Sequence, residues 1–325
     1  MTERIMKYRT LGRTGLEVSM MGMGTGGHDP LGQKSGRPAS EMIHLLHRAF
    51  ELGINLFDTS PGYGDGRSEE LLGRALKKLP RDEVVVSTKI PLAGGHTDDV
   101  TVMPKEEIAP AVEGSLRRLG LETVDVLLMA VAGPQYLDPV MNDHLPVLEK
   151  LKRQGKVRFL GSSEQTRSDG AHEWLQQILP TGAIDVAMMG HNMLNQSARR
   201  TVLPLCLERD IGVMNVFTVR NLFWNPPRLC EVVADLKARG RLAPGAVGDD
   251  DPLGWLLADG DAGSLVEAAY RYAAYTEGVT TVMCGTIDVG ELEENVRTVT
   301  KGPLSAEKVA RLKAVFGHLD EAIGN

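Results

Sequence analysis

The 325-residue sequence has few of the features that mark secreted, membrane or metal-dependent proteins. Its three cysteines, Cys206, Cys230 and Cys284, are far apart and form no CxxC pair, so disulfides are not expected and a reducing compartment is favoured. Its 8 histidines show no spacing typical of a metal site. It contains no apolar run of about 18 residues and no signal-peptide core near Met1. We therefore expect a cytoplasmic protein without a membrane span or a metal.

Basic stretches are missing as well. The chain has 36 Lys and Arg against 43 Asp and Glu, a net charge of −7, and no basic block or stripe. This composition argues against a nucleic-acid-binding protein, because such proteins carry clustered positive charge. The hydrophobic fraction of 42% is typical of a globular protein with a substantial core. The length suits either one large barrel or two smaller domains.

The most informative stretch that is present runs from Ile54 to Glu70. It opens with the mostly apolar run Ile-Asn-Leu-Phe, which is typical of a buried strand and stops at Asp58. Proline and glycine turn residues follow and surround Tyr63. An amphipathic run then begins with two glutamates in its first turn, which predicts a helix because carboxylates suit its positive end. The pattern predicts Asp58 at a strand end and Tyr63 in the following loop.

A second strand pattern repeats this design. The run Val84-Val-Val-Ser-Thr-Lys89 is rich in β-branched residues and also ends on a charged residue. Each charged or aromatic residue alone has a common structural explanation: Asp58 as a turn residue, Tyr63 as a loop aromatic, Lys89 as a surface charge. Together they place an acid, a phenol and an ammonium group at the ends of neighbouring strands. This combination favours a catalytic site that acts on one substrate.

Strand and helix patterns alternate along the whole chain. Eight β-then-α units follow a hairpin whose turn is Gly12-Arg-Thr-Gly15, and no break in composition separates them. This predicts an α/β fold, a (β/α)8 TIM barrel forming a single domain over 1–325, with its site at the C-terminal strand ends. Loops are predicted over 91–103 and over 242–263, the latter a long loop before the last βα unit. We expect Trp255 in that long loop to form a flap over the barrel mouth.

The site motifs resemble those of a known family. Asn55-Leu-Phe-Asp-Thr-Ser-Pro-Gly-Tyr-Gly, followed by Ser68-Glu-Glu-Leu-Leu-Gly, resembles the aldo-keto reductase signature, and Ser87-Thr-Lys89 resembles the lysine strand of that family. The resemblance covers nearly the whole chain. It implies an NAD(P)(H)-dependent oxidoreductase that interconverts an aldehyde, ketone or sugar carbonyl and its alcohol. It also implies that a short hairpin closes the bottom of the barrel.

The resemblance assigns the catalytic roles. Tyr63 is the acid/base, Lys89 its tuner, and Asp58 the partner that keeps Lys89 charged and in place. A tyrosine phenol has a pKa of roughly 10, so it needs a neighbouring cation to donate and accept protons near neutral pH. A lysine ammonium supplies that influence by stabilising the phenolate.

One residue of the family's catalytic tetrad is missing. The family has a histidine after the fourth strand, but this strand reads Asp125-Val-Leu-Leu-Met-Ala-Val131, so Met129 or Ala130 occupies its position. A donor that polarises the substrate oxygen is therefore absent. A changed substrate, a donor from elsewhere, or lost redox activity would each account for this. His28 and His191 are candidates to reach the substrate, although a structural role is the commoner one for either.

The resemblance also indicates a set of cofactor-binding residues. They are Gly24, Thr25, Ser162, Ser163, Phe217, Arg220, Gly285, Thr286, Glu294 and Asn295. By this resemblance the glycine and threonine after the first strand lie beside the nicotinamide, and the serine pair holds its carboxamide. The tyrosine that stacks on the nicotinamide in the family is either lost or replaced by the phenylalanine. The arginine is assigned to the pyrophosphate and the last pair to the adenine. That last pair has a simpler alternative, a solvated helix face.

The cofactor is either NADP(H) or NAD(H). Where NADP-preferring members place basic residues for the 2′-phosphate, this chain has Asp288 and Glu291. Carboxylates repel a phosphate but can accept a hydrogen bond from a free ribose hydroxyl, which gives a slight lean to NAD(H). Two other functions stay open: a lyase or isomerase using Tyr63 and Lys89 for proton abstraction next to a carbonyl, and a nucleotide-holding regulatory protein without turnover. The expected partner is a small carbonyl or sugar substrate, and the sequence does not predict an oligomeric state.

Overall fold

The computed structural model describes residues 6–94, 101–165 and 169–323. Its strands are β1 (Tyr8–Thr10), β2 (Glu17–Ser19), β3 (Met21–Gly24), β4 (Leu56–Asp58), β5 (Val85–Gly94), β6 (Thr101–Val102), β7 (Val124–Val131), β8 (Val157–Ser163), β9 (Val186–Gly190), β10 (Gly212–Val216) and β11 (Thr281–Cys284). Its α-helices are α1 (Ala39–Glu51), α2 (Arg67–Leu76), α3 (Lys105–Leu119), α4 (Leu137–Pro139), α5 (Leu145–Arg153), α6 (Glu173–Ile178), α7 (Leu203–Glu208), α8 (Pro226–Ala238), α9 (Leu265–Ala274), α10 (Val289–Thr300) and α11 (Ala306–Phe316).

Eight parallel strands close into a barrel. Their order is β4-β3-β11-β10-β9-β8-β7-β5, and the pairing of β4 with β5 completes the ring. β1 and β2 form the separate antiparallel hairpin, with Tyr8 opposite Ser19. The hairpin is tied to the barrel at Gly12, which bridges Ile211 with a φ of 51° and leaves no room for a side chain. The predicted (β/α)8 barrel with an N-terminal hairpin is thereby confirmed.

Successive residues of each strand face opposite sides of the barrel wall. The barrel interior is filled by an inner cluster that includes Leu56, Val126, Leu128, Val186, Met188, Met214 and Met283. An outer cluster between the wall and the helices includes Phe57, Leu127, Met129, Leu160 and Met189. Because successive residues alternate, a residue of the inner cluster shows that the residues two positions away on its strand also face the barrel interior. Candidate residues in phase with the inner cluster therefore point into the site.

Two helices are missing from the prediction. The segment before the last barrel strand carries α9, and the chain ends with α11 after α10. Both have sequence signals at their first turns, because Ser264 accepts from the Glu267 backbone N–H and Ser305 from that of Lys308. Ser264 and Glu267 have the spacing of a capping box. The long segment 242–263 therefore leads into α9 and includes a short 3-10 turn at Gly254–Leu256.

The strand that carries Lys89 is longer than predicted. It continues to Gly94 and pairs in antiparallel fashion with β6, although a loop is predicted over 91–103. Pro91 cannot donate to a ladder, and the register with β7 shifts between Pro91 and Ala93, which is the signature of a bulge. Residues 95–100 of that loop lie outside the described residues. Among the helices that the structure describes, none is long and apolar enough to cross a membrane.

Candidate active site

Asp58, Lys89 and Tyr63 meet at the C-terminal end of the barrel. The Lys89 Nζ lies 2.6 Å from Asp58 Oδ2 and 5.0 Å from the centroid of the Tyr63 ring. Both members of the ion pair are buried, whereas Tyr63 is half-buried in the loop after β4. The parallel pairing of β4 with β5 sets Asp58 opposite Ser87, two residues before Lys89 and on the same face. The structure thus brings together the three residues singled out in the sequence.

Further hydrogen bonds fix the ion pair from both ends. Ser87 Oγ donates to Asp58 Oδ1 over 2.7 Å, and Lys89 Nζ donates to the Thr59 carbonyl oxygen over 3.0 Å. Buried charges are tolerated only when paired and hydrogen-bonded in this way. The Ser87 hydroxyl, in the same motif as Lys89, thus helps to fix the orientation of the carboxylate.

Two opposing influences set the pKa of Lys89. Burial lowers it, because the ammonium loses its hydration, while the Asp58 carboxylate and the Tyr63 phenol raise it. The net direction is upward, so Lys89 remains a cation. A cation held beside a phenol favours the phenolate, which is the property a tyrosine general acid/base requires.

Gly26 provides the surface on which the Tyr63 ring lies. A β-carbon built on Gly26 would stand 2.4 Å from the ring's Cζ. A glycine at this position allows the ring to approach the backbone of the loop after β3 closely. The same loop is tied to α2, because Ser68 Oγ donates to the Thr25 carbonyl oxygen over 3.1 Å.

Ala130, rather than Met129, faces the barrel interior at the end of β7. Met129 packs in the outer cluster, while Val126 and Leu128 belong to the inner cluster. By strand alternation Ala130 points inward, beside Pro91 of β5 and Ser163 of β8 in the strand register. An apolar methyl group therefore stands at the mouth where the resemblance predicts a hydrogen-bond donor.

Ser162 faces away from the predicted cofactor site. Its hydroxyl donates to the Met129 carbonyl oxygen over 3.1 Å and accepts from Trp174 Nε1 over 2.8 Å, in the layer between the barrel and α6. Gly161 lies against the inner-cluster residue Leu128, so Ser163 has the inward orientation. Of the serine pair, the geometry leaves Ser163 available at the mouth and gives Ser162 a structural role.

The other predicted cofactor residues lie around one side of the mouth. Phe217 has an exposed ring (37%), a φ of 55°, and the Arg220 guanidinium 4.6 Å from its centroid. Gly24 ends β3 within the wall, and a β-carbon built on Gly285 would meet only open space. Thr25 is buried, and its Oγ1 has no hydrogen-bond partner among the described residues.

In the turn after β11, carboxylates accept hydrogen bonds. Thr286 Oγ1 donates to Glu291 Oε2 over 2.6 Å, and Asp288 caps α10 by accepting from the Glu291 backbone N–H over 2.9 Å. On the same helix Glu294 is exposed, and Asn295 Nδ2 lies 3.4 Å from Cys284 Sγ. No lysine or arginine occurs between residues 285 and 296.

Three predicted substrate residues have different environments. His191 is buried against Tyr272 of α9 and Thr276, which follows that helix, with Nε2 3.1 Å from Thr276 Oγ1, so the structure corrects its expected placement at the mouth. Burial lowers the pKa of His191 to about 3, which keeps it neutral.

Trp255 packs beside α11, where the Arg311 guanidinium lies 4.2 Å from its ring, in an arrangement that supports a structural role rather than a flap. His28 is exposed on the loop after β3, two residues from Gly26.

Comparison with known proteins decides the family. The aldo/keto reductase family profile matches residues 21–316. The chain belongs to the aldo/keto reductase family. This aldo-keto reductase is 30% identical over 307 residues to the L-galactose dehydrogenase of Arabidopsis thaliana, a match that covers 91% of this chain and 89% of that protein.

Two further relatives extend the comparison. The NADH-specific methylglyoxal reductase of Escherichia coli K12 is 34% identical over 224 residues, covering 64% of this chain and 65% of that protein. An aldo-keto reductase from Bacillus halodurans, in its holo form, has the same fold with a TM-score of 0.71 and 24% identity over 95% of this chain and 96% of that one. Family membership and the names of the relatives support NAD(P)-dependent carbonyl oxidoreduction.

We predict that Gly26→Ala lowers kcat about 100-fold by pushing the Tyr63 ring away from Lys89, since a misplacement of about 1 Å can cost that much. Gly94→Ala is the matched control, because a β-carbon there meets no atom of the described residues within 4 Å and the backbone is not left-handed. Steady-state kinetics on both variants tests this. Equal rates for Gly26→Ala and the wild type would show that the ring position does not matter.

Proposed function

We propose that this aldo-keto reductase is an NAD(H)-preferring oxidoreductase that interconverts a polyhydroxylated or charged carbonyl compound and its alcohol. The observation that carries the proposal is the contact of Lys89 with both the Asp58 carboxylate and the Tyr63 phenol at the barrel mouth. A phenol with a buried, permanently charged lysine beside it is equipped to deliver a proton to a carbonyl oxygen and to take one back.

The residues around the mouth fit a nicotinamide cofactor. An exposed aromatic ring at Phe217, open backbone at Gly285 and the inward-facing Ser163 provide a stacking surface, room and a hydrogen-bonding group. A bound nicotinamide cofactor would supply or accept the hydride. In the proposed reaction Tyr63 moves the proton at the substrate oxygen, Lys89 stabilises the phenolate that results, and Asp58 holds Lys89 in place.

The proposed substrate class follows from Ala130. A methyl group cannot donate a hydrogen bond to the carbonyl oxygen, so other contacts must orient the substrate. Hydroxyl or charged groups on the substrate offer such contacts to the mouth residues. The name of one relative agrees with this class, since it is a dehydrogenase of a sugar.

Two other functions compete with this proposal. The same Ala130 methyl favours a lyase or isomerase, in which Tyr63 and Lys89 abstract a proton next to a carbonyl without reducing it. A nucleotide-holding regulatory protein would bind the cofactor and never turn it over. A screen of sugars and other carbonyl compounds that follows cofactor absorbance and product composition separates the three.

We predict that Tyr63→Phe abolishes turnover while cofactor affinity stays nearly unchanged. Loss of a general acid/base typically costs about two to four decades in rate. Kinetics together with fluorescence titration of the cofactor measures both quantities. A Phe variant within about threefold of the wild type would remove Tyr63 from the mechanism.

We predict that the wild type binds NAD(H) at least as tightly as NADP(H), and that Glu291→Arg improves NADP(H) binding. The reason is electrostatic: the variant replaces a carboxylate near the expected 2′-phosphate by a guanidinium suited to phosphate. Glu307→Arg is a control with the same charge change on α11, a different helix. A strong NADP(H) preference of the wild type in fluorescence titration would refute this assignment.

Simple aromatic aldehydes should be poor substrates. A donor aimed at the developing oxyanion is worth about 3 kcal/mol, or two to three decades in rate, and these aldehydes offer no other group by which to be positioned. We expect nitrobenzaldehyde to be reduced slowly or not at all, and Ala130→His to improve its reduction relative to the best sugar substrate. Rapid reduction by the wild type would mean that another residue, with His28 the exposed candidate, supplies the donor.

A further inference from the structure

A buried cluster of three polar residues lies directly behind the predicted cofactor site. His172 Nδ1 lies 2.8 Å and 2.9 Å from the two carboxylate oxygens of Glu164, and its Nε2 lies 3.0 Å from Ser197 Oγ. All three side chains are buried. His172 has a φ of 62°, in the left-handed region that residues with a β-carbon seldom adopt, so its contacts hold it there. We call these three residues the Glu164 cluster.

The hydrogen bonds around His172 indicate its protonation state. Ser197 Oγ lies 2.6 Å from the Gly170 carbonyl oxygen, which can only accept, so the serine proton is committed to that bond. Ser197 is then an acceptor toward His172 Nε2, which must carry a proton. Nδ1 is nearly equidistant from both oxygens of Glu164, as expected for an N–H shared by an ionised carboxylate. Both ring nitrogens therefore donate, and His172 is an imidazolium.

Charges on every side of the imidazole bear on this state. Burial lowers the pKa of His172, but the carboxylates of Glu164 and Asp169 raise it above its ordinary value. Burial raises the pKa of Glu164 itself, and the pairing with His172 opposes that. Other titratable neighbours among the described residues include His191, Cys206 and Arg220, and Arg199 acts on His191. His191 is neutral, and burial raises the pKa of Cys206 to about 12, which keeps its thiol protonated.

The connectivity of the cluster is that of a hydrolytic triad, yet it is not built for nucleophilic attack. A nucleophilic serine gives its proton to the histidine, whereas the Ser197 proton points to Gly170. The adjoining cavity has a volume of only about 10 Å³, enough for one water molecule and no substrate. The cluster is therefore a structural device.

The cluster connects the ends of two barrel strands to the cofactor side of the mouth. Glu164 directly follows Ser163, the inward-facing serine at the end of β8, and its Oε1 accepts from the Gly190 backbone N–H at the end of β9 over 3.0 Å. The small cavity beside His172 is also lined by Asn192 and Arg220. Asn192 Nδ2 donates to the Phe217 carbonyl oxygen over 3.1 Å, which continues the network to the loop after β10.

We propose that the Glu164 cluster, with His172 as a buried imidazolium, is a positioning device that holds Ser163 and the Phe217 loop in the geometry that binds the cofactor. Glu164 anchors the end of β8 to β9, and His172 supplies the charge that lets a carboxylate occupy this buried position. The residues act through Ser163 and Phe217. The inference rests on the proposed function, because it assigns the cofactor to those two residues.

The test combines the protonation state of His172 with cofactor affinity. In the wild type, NMR of 15N-histidine-labelled protein at pH 7.5 should show His172 with both ring nitrogens protonated. His172→Gln should weaken NADH binding about tenfold and raise the KM for the cofactor, while kcat at saturation stays within about threefold, since a lost positioning hydrogen bond of about 1.4 kcal/mol corresponds to tenfold. His144→Gln is the matched control, because His144 is also a buried histidine bonded to a backbone carbonyl oxygen, that of Met103, and it is not a member of the Glu164 cluster. It should leave NADH binding unchanged.

A stability measurement adds a readout that does not depend on the cofactor. The raised pKa of folded His172 stabilises the fold below its unfolded-state pKa of about 6.5, and that contribution is lost as pH rises through the folded value. The Tm difference between the wild type and His172→Gln should therefore shrink toward alkaline pH.

Three results would overturn the proposal or its basis, and they are distinguishable. A neutral His172 in the wild-type spectrum would overturn the imidazolium, whether or not the variants fold. Unchanged NADH affinity in folded His172→Gln would overturn the positioning role. A wild-type protein that binds neither NADH nor NADPH would overturn the proposed function itself, and with it the role of the cluster toward a cofactor.

Discussion

The site depends on one buried ion pair, between Asp58 and Lys89. Removing two charges from water costs several kcal/mol per ion, and the cost is offset only if geometry and hydrogen bonding are good. Here the Nζ to Oδ2 distance is 2.6 Å. Ser87 Oγ donates a further hydrogen bond to the carboxylate, and the Thr59 carbonyl accepts one from the ammonium group. Removing either partner would leave an uncompensated buried charge. The pair is thus as much a constraint on the fold as a catalytic element.

The barrel supplies the precision that this pair needs. Asp58 and Lys89 are 31 residues apart, and they meet because β4 and β5 complete the ring of strands. Hydrogen bonds on the outer face of the barrel hold the position of β5. Glu69 of α2 accepts from Thr88 Oγ1 over 2.7 Å and from Arg118 Nε over 2.6 Å. Thr88 faces outward, so its neighbour Lys89 faces the barrel interior. Glu69, in the acidic first turn of α2, therefore also fixes β5, the strand that carries Lys89.

The parts of the structure that local pattern determines were predictable, and those that depend on strand phase or long-range packing were not. Asp58 and Lys89 end runs of clear strand character, and the motif around Tyr63 is long enough to identify a family. The choice between Met129 and Ala130 requires knowing which face of β7 is inside, and an apolar strand buried on both faces carries no alternation to show it. Ser162 has the same difficulty, since only its bond with Trp174 reveals its outward direction.

Other misplacements have similar causes. His191 directly follows an apolar strand, as a site residue would, but its ring packs against α9, a helix that the sequence reading did not include. The capping box at Ser264 was the available signal for that helix, and the adjoining segment rich in glycine and aspartate obscured it. Gly26, in the glycine-rich loop after β3, is a point of close approach for another part of the chain. The sequence offered no means to know that the approaching group is Tyr63, because the contact joins two loops 37 positions apart.

The absence of a donor at Ala130 and the presence of the Glu164 cluster have a common energetic explanation. Transition-state stabilisation that a polarising donor does not supply must come from the precise placement of substrate and cofactor. Placement requires a rigid mouth, and rigidity near β8 and β9 comes from a buried ion pair whose members are hydrogen-bonded to each other and to two further groups, the Gly190 backbone N–H and Ser197 Oγ. A second buried ion pair would be costly in a fold that needed only stability, because apolar residues of similar volume would serve as well or better. Its location, behind the residues proposed to hold the cofactor, is what a function that relies on positioning would require.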